Sequence, residues 1–457
     1  MTGRPLLFVG FFLIIFCQNL VSQENKPLVL SLADAEKLAF KNNFSIRGAE
    51  LSLKVSKARY SQASHAKILP KFQLRNVWGP VPRARAAFTK FGVLTSPDTS
   101  TGLNDLRYFT QLDVDLVQPL FTFGKFSNLS RAGYYGLQAD RANLDNEHEK
   151  VKLQVRQLYW GLVLGKELLA VVEDASKELA KAEHKVEKKL DEGSEDVSQI
   201  DLFKLQLFRY DVDKRRRETL DKIALAKSSL KTVLGIPEDV EIEAATEYLD
   251  PIEVQIDNLP AYLETGQKNR FELKQLRAGI GASRALIGVA KSDYFPQFFF
   301  GGSVKANFAQ DRFDSNNPFV YNPTNFFRPG FVFGASLNLN FLQTSDKVKV
   351  AQAQYHLLAE KERLLNDGIR LDVQKAYREL RQAEQNMRAS GKAVKASDNW
   401  LRSATMTFDI GVGEVKDLID AFKANGAMQA ENLQNIFKYN VAVAKLSKAV
   451  GRDLYPK

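Results

Sequence analysis

Apolar positions along this chain fall into two rhythms, one of period three to four and one of period two. Val348, Ala351, Tyr355, Leu358, Leu365 and Ile369 open a series with steps of three, four or seven that continues to Phe408. Leu137, Leu144, Val151, Val155, Leu158 and Leu162 open another that continues to Leu190. Such spacing lays a single apolar stripe along a helix. It predicts helices over 125–190 and 344–408, each some 65 residues and roughly 100 Å long at 1.5 Å per residue. A compact globular domain has no room for them.

Each long helix meets a glycine turn, Gly193 in the first and Gly411 with Gly413 in the second. Return helices are predicted over 196–235 and 414–451, the first carried by Ile200, Phe203, Leu207 and Tyr210, the second by Leu418, Phe422, Leu433 and Phe437. Two further helices, about 32–68 and 261–292, run into Pro70 and Pro296, where the missing amide donor forces the chain to change character. The period-two rhythm follows. Strands are predicted at about 70–80, 107–121, 296–308 and 330–342, with Leu112, Val114 and Leu116 alternating with Gln111, Asp113 and Asp115 as the clearest example. Pro119 marks a strand exit. The connecting segments, around Ser96–Thr101 and Asn316–Pro323, have the composition of solvent-facing loops.

The helical series repeat each other. Val151 to Gly193 overlays Ile369 to Gly411 at a constant offset of 218 residues, matching Val155 with Val373 and Tyr159 with Tyr377. The chain therefore divides into a leader, 1–23, and two structural repeats, 24–250 and 251–457.

The leader has one cation, Arg4, and an eleven-residue apolar run from Leu6 to Phe16, too short for a bilayer span and characteristic of a secretory signal. Cys17, the only cysteine, follows bulky Phe16, which disfavours lipidation. The formal charge of +10 falls to +9 without Arg4 and is spread over both repeats. Its densest cluster, Lys214 to Arg217, is framed by Asp213 and Glu218 and reads as a solvated helix face, not a nucleic-acid contact. No segment after the leader reaches 18 apolar residues, so membrane contact would have to come from strands.

Two architectures compete. The strands form either a small soluble sheet on a helical bundle or part of an outer-membrane barrel. Four strands cannot close around anything, and bacterial barrels begin at about eight, so the second architecture requires several chains. The cluster Phe295, Phe298, Phe299, Phe300, Phe326, Phe327, Phe331 and Phe333 suits lipid and interfacial depths.

The ordered set Leu69-Pro70-Lys71-Phe72, Val117-Gln118-Pro119-Leu120-Phe121, Leu234-Gly235, Phe295-Pro296-Gln297-Phe298 and Val450-Gly451 resembles that of the TolC-type outer-membrane efflux proteins, the outer membrane factors, over nearly everything after the leader. The resemblance implies a mainly α fold with a β-barrel portion. Three copies would contribute four strands each to one twelve-stranded outer-membrane β-barrel, continued by a long periplasmic α-helical barrel. It also implies the function, a homotrimeric exit duct in a tripartite efflux or type I secretion system. The implied partners are a periplasmic adaptor (membrane fusion protein), an inner-membrane pump or secretion ATPase and outer-membrane lipid.

Phe408 through Ala421 resembles the family's inner turn at the periplasmic mouth. Asp417 and Asp420, three apart, share a helix face, and threefold symmetry would set six carboxylates round the axis as a cation-favouring constriction. Where relatives latch the mouth with a tyrosine and an arginine, this chain has Phe408 and Gly413; where they have a threonine and an aspartate, it has Ser198 and Gln199. Glu414, Lys416 and Glu195 are the alternative latch candidates.

No enzyme is expected. His65, His148, His184 and His356 stand isolated along the helices without metal-ligand spacing, and Gly279-Ile280-Gly281 has Arg284 where a dinucleotide loop needs its third glycine. Neither a cofactor nor a metal is implied. The rival function is a periplasmic coiled-coil adaptor or scaffold without a pore, against which the two full repeats argue.

Overall fold

The polypeptide builds one order of elements twice. The computed structural model describes residues 27–83, 105–194, 197–312, 319, 321–322 and 324–456. The leader with Cys17, the loop around Ser96–Thr101, Glu195 and much of Asn316–Pro323 lie outside the described residues. The first copy runs β1 (Leu28–Leu30), α1 (Leu32–Asn42), α2 (Phe44–Ile68), β2 (Lys71–Pro82), β3 (Leu106–Phe121), α3 (Lys125–Asp191) and α4 (Gln199–Leu234). The second starts earlier than the expected 251 and runs β4 (Ile242–Ala244), α5 (Leu259–Asn269), α6 (Phe271–Ser292), β5 (Gln297–Ala309), β6 (Phe326–Ser336), α7 (Phe341–Asp409) and α8 (Val415–Val450).

α3 and α7 contain 67 and 69 residues, roughly 100 Å each. The inward stripe of α7 is buried at Val348, Ala351, Ile369, Val373, Leu380 and Phe408. Three apolar clusters result. One surrounds Val155, Tyr159 and Leu162 of α3, and its counterpart in the second copy surrounds Ile369, Val373 and Leu380 of α7. The third lies at the far tip, where α3, α4, α7 and α8 bury Val186, Leu205, Phe408 and Leu418 together.

Four expectations need correction. The helices expected over 32–68 and 261–292 are each broken, at Asn43 (φ −61°, ψ 130°) and Arg270 (φ −57°, ψ 126°). Asn43 accepts from Ser45 N at 2.9 Å and donates to Val233 O at 2.9 Å, while Arg270 donates to Ala449 O at 3.2 Å, so each break seats against the end of a return helix. Gly235 (φ 64°) and Gly451 (φ 65°) end those helices, where a Cβ would come within 2.9 Å of Asn42 and 3.0 Å of Asn269. The apolar rhythm continues across both breaks, which hides them in the sequence.

The strand expected over 330–342 is instead β6, because β5 begins at Gln297 opposite Ser336 and offers Leu337 onward no partner. Asn340 N bonds instead to Asn338 Oδ1 at 3.0 Å, and α7 starts at Phe341. On α4 the residues expected to carry the helix, Ile200, Phe203, Leu207 and Tyr210, are exposed; Leu202, Leu205, Phe208 and Val212 are buried. Both sets recur at helical spacing, so α4 has two apolar stripes, and the sequence reading took the outer one. Finally, Pro119 lies inside β3, at a register shift between Pro119 and Phe121, because proline cannot donate to the ladder. The strand-to-helix exit comes later, at Phe123 (φ 47°) and Gly124 (φ 83°).

The two copies are joined by a three-residue parallel pairing of β1 with β4, too short to show as alternation, and by an ionic clamp. Arg156 of α3, with a side chain only 5% exposed, bonds Glu36 of α1 at 2.6 Å and both carboxylate oxygens of Asp453 at 2.8 Å. Its guanidinium lies 3.7 Å from the ring centroid of Tyr455. Burial opposes the charges of both Arg156 and Asp453, but their mutual hydrogen bonds outweigh it and hold Asp453 well below the usual carboxylate range. Burial pushes the Tyr455 phenol up to about 12.

Candidate functional site

Two regions stand out: the sheet at one end of the long helices and the tip at the other. The sheet has the order β2-β3-β5-β6 with every pairing antiparallel. Register divides it into two unlike faces. On one lie Phe72, Leu74, Trp78, Leu112, Val114, Leu116, Val304, Phe308, Phe327, Phe331 and Phe333; on the other lie Lys71, Gln73, Arg75, Gln111, Asp113, Asp115, Ser303, Lys305, Asn307 and Arg328. The oily face is uncovered: Trp78 is 71% exposed, Phe331 74% and Phe333 79%. A soluble sheet would lay a helix over those rings. The shortest strand, β6 with 11 residues, spans about 26 Å when tilted 45°, near the thickness of a bilayer's hydrocarbon. Among the described residues β2 and β6 each have one edge with no neighbour.

Helices and strands meet at an aromatic collar. Pro70 stands between α2 and β2, and Pro296 between α6 and β5, as expected from the missing donor. Phe123 stacks on Phe295 at 4.7 Å between centroids and meets Phe121 edge-on at the same distance. Lys125 donates to Asp293 at 2.8 Å beside it. The sequence reading missed the exit at Phe123-Gly124, whose signal is the Thr122-Phe123-Gly124-Lys125 turn ahead of the helix.

At the tip, Gly193 (φ 68°) and Gly411 (φ 82°) take the left-handed conformation that ends α3 and α7. Gly413 is needed for another reason. A Cβ there would lie 2.8 Å from Phe408 N and 2.9 Å from Thr407 C, both backbone atoms, while its amide donates to Thr407 O at 3.0 Å. Phe408 is 2% exposed, within the tip cluster, and Lys185 and Lys189 lie 5.7 and 5.4 Å from its ring centroid. Ser198 caps α4: its backbone amide donates to Asp201 at 3.1 Å and its hydroxyl at 2.7 Å. Partial burial works against the Asp201 charge, but bonds from Lys204 and Ser198 hold it below the usual range. Gln199 is exposed at the first turn of α4, and Glu414 precedes α8 as its N-cap. The structure thus places Ser198 and Gly413 in local roles within their own turns, and Phe408 in the apolar tip cluster shared by both copies.

An ion pair also crosses between the copies at the tip, Lys185 to Asp409 at 2.6 Å, linking α3 to α7. The sequence reading overlooked this pair although Asp409 adjoins Phe408. On α8, Val415, Leu418, Ile419 and Phe422 are buried, and Asp417 and Asp420 are exposed on the opposite side, within about 60° of each other. Asp420 shares a cleft of about 220 Å³ with Lys204, Lys416 and Lys423. Among the described residues neither aspartate makes an ion pair.

The profile of the outer membrane efflux protein family matches residues 263–452. That stretch begins in α5 and ends just past α8. The match covers the greater part of the second repeat. The first repeat has the same order of elements. Solved structures with this fold include CusC (15% identity, 93% of this chain and 94% of that one, TM-score 0.73). The Campylobacter jejuni CmeC outer membrane channel matches at 15% identity, covering 93% and 86%, with TM-score 0.73. The open-state MtrE outer membrane channel of Neisseria gonorrhoeae matches at 17%, covering 93% and 89%, with TM-score 0.72. Comparison with curated protein sequences finds no match. No described helix is long and apolar enough to cross a membrane.

Proposed function

We propose that three copies of this chain form one outer-membrane channel, the exit duct of a tripartite efflux or type I secretion system. Their sheets would join into a twelve-stranded barrel, and their helices would continue it as a periplasmic tube. The observation that carries the reading is the sheet itself: four bilayer-length strands, an aromatic face, a charged face and two open edges. An open edge in lipid leaves unpaired backbone groups at several kcal/mol each, so one copy alone has no stable way to sit in the membrane. Pairing β6 of one copy with β2 of the next is antiparallel, because β2 and β6 run in opposite directions in the sheet, and it removes every edge.

The helices carry a matching seam. Val350, Leu357, Leu364 and Leu371 recur every seven residues on α7 and are all exposed, as are Phe44, Leu51 and Val55 on α2. α2 packs on α3, α3 on α6 and α6 on α7, so α2 and α7 end the arc of helices as β2 and β6 end the sheet. Neighbouring copies would close both seams together. At the tip, Asp417 and Asp420 would then form the constriction, and a periplasmic adaptor and an inner-membrane pump or secretion ATPase would complete the path. An adaptor or scaffold without a pore has no use for the uncovered aromatic face.

The protein purified in detergent should conduct ions across a planar bilayer and should stay with outer membranes through a carbonate wash. A chain washed off by carbonate, and silent in the bilayer, overturns the proposal.

A further inference from the structure

The charged face of the sheet is not evenly mixed. Register sets Arg75 opposite Asp113, Asp113 opposite Lys305 and Lys305 opposite Arg328, one straight row across all four strands. This row holds three cations and one anion, a net charge of two positive per copy. One row toward the helices Asp115 is the only charge, between Gln73 and Ser303, and one row further Lys71 restores the balance. On the other side of the row lie Val77, Gln111, Asn307 and Phe326, all uncharged.

Like charges in one cross-strand row repel, and folding alone gives no reason to gather them. Asp113 does not neutralise its neighbours: its Oδ2 accepts from Gln111 at 2.9 Å, while its Oδ1 is buried without a hydrogen-bond partner. Among the described residues Arg75 and Lys305 make no ion pair, and both are exposed. Arg328 lies 4.2 and 4.5 Å from the ring centroids of Phe326 and Tyr321 and donates to Asn322 O at 3.0 Å, contacts that steady a guanidinium without cancelling its charge.

We infer that Arg75, Lys305 and Arg328, with Asp113 among them, form an anion-binding belt inside the barrel that captures multivalent anions, polyphosphates and polycarboxylates, from the water of the lumen. This rests on the channel reading above, which turns the aromatic face to lipid and the charged face inward. Three copies would set nine cations and three anions in three slanting rows around the barrel wall. A low-dielectric wall lined by one sign of charge concentrates counter-ions, by about tenfold or more. The belt lies within the barrel, and the carboxylates of Asp417 and Asp420 lie at the opposite end of the helices, so the two stations act on solutes of opposite charge.

The test uses the full-length protein in planar bilayers, with inorganic tripolyphosphate added on the side of the β2–β3 and β5–β6 loops, so that the probe reaches the barrel without passing the tip. Wild type should show voltage-dependent block. Arg75→Gln with Lys305→Gln and Arg328→Gln should raise the half-blocking concentration by about tenfold. Asp113→Asn, which leaves all cations in place and removes the one anion, should lower it, and keeps the test valid if the triple variant fails to assemble. Asp417→Asn with Asp420→Asn should leave it unchanged. A conducting wild type that tripolyphosphate does not block, or block that Asp113→Asn leaves untouched, overturns the belt while the channel stands. A wild type without conductance would overturn the channel reading itself.

Discussion

Arg156 holds the end of the chain in place, and replacing it by methionine should release that end. The side chain is 5% exposed and serves three groups at once: Glu36, Asp453 and the ring of Tyr455. Methionine keeps much of the volume and removes the charge. Breaking a fully buried pair costs about 3–5 kcal/mol, because the partner is left charged and dry. Here the figure must be reduced, since Asp453 is 37% exposed and keeps Lys152. Glu36, 16% exposed, is the group left stranded. A loss of about 2–3 kcal/mol in the local opening energy is therefore expected. The assay is native-state hydrogen exchange at Leu454 and Tyr455, whose amides donate to Ser447 Oγ at 3.1 Å and Asp453 Oδ1 at 3.2 Å. A double-mutant cycle with Asp453→Asn should give a coupling of about 1 kcal/mol. The depressed Asp453 stabilises the clamp above its unfolded value of about 3.9, and that contribution is lost as pH falls through its folded value. Protection should thus be flat from neutral pH to about 5 and decline only in stronger acid. A change below about 0.5 kcal/mol, or zero coupling, would refute the reasoning.

Three further outcomes follow from the geometry. Asp417→Asn with Asp420→Asn should raise single-channel conductance and weaken block by magnesium added at the tip side; unchanged currents would dispose of the carboxylate ring. Leu357→Glu with Leu364→Glu places charge on the exposed α7 stripe, which loses about 2 kcal/mol per side chain at the seam, and should yield single chains on sizing in detergent with helix content intact. Gly413→Ala drives a Cβ onto the backbone of Phe408 and Thr407 and should cost the tip about 1–3 kcal/mol, seen as faster proteolysis between α7 and α8; an unaltered cleavage rate would show that the turn has room.

Much of the fold could be read from periodicity because its elements are long. Sixty or more residues of α3 or α7 repeat one stripe so often that no other element fits. The strands alternate cleanly because one side is uncovered and oily and the other wet. Where two signals coincide, sequence reading fails. On α4, Ile200, Phe203, Leu207 and Tyr210 recur at steps of three and four, as do the buried Leu202, Leu205, Phe208 and Val212, and nothing local says which set faces the core. The breaks at Asn43 and Arg270 depend on carbonyls at Val233 and Ala449, far along the chain. The tip was legible in its turns and not in its contacts: Gly193 and Gly411 announce themselves, while the Lys185 to Asp409 bridge needs both copies folded together. Equally, the row from Arg75 to Arg328 exists only once register is known, since a one-residue slip would scatter it over both faces.

The number of chains in the particle tests the central claim most directly, because open strand edges and exposed helix stripes demand neighbours. Native mass spectrometry of the protein extracted from outer membranes should find three chains in each detergent-released particle. A population of single chains, stable and soluble once the detergent is removed, would contradict the shared barrel.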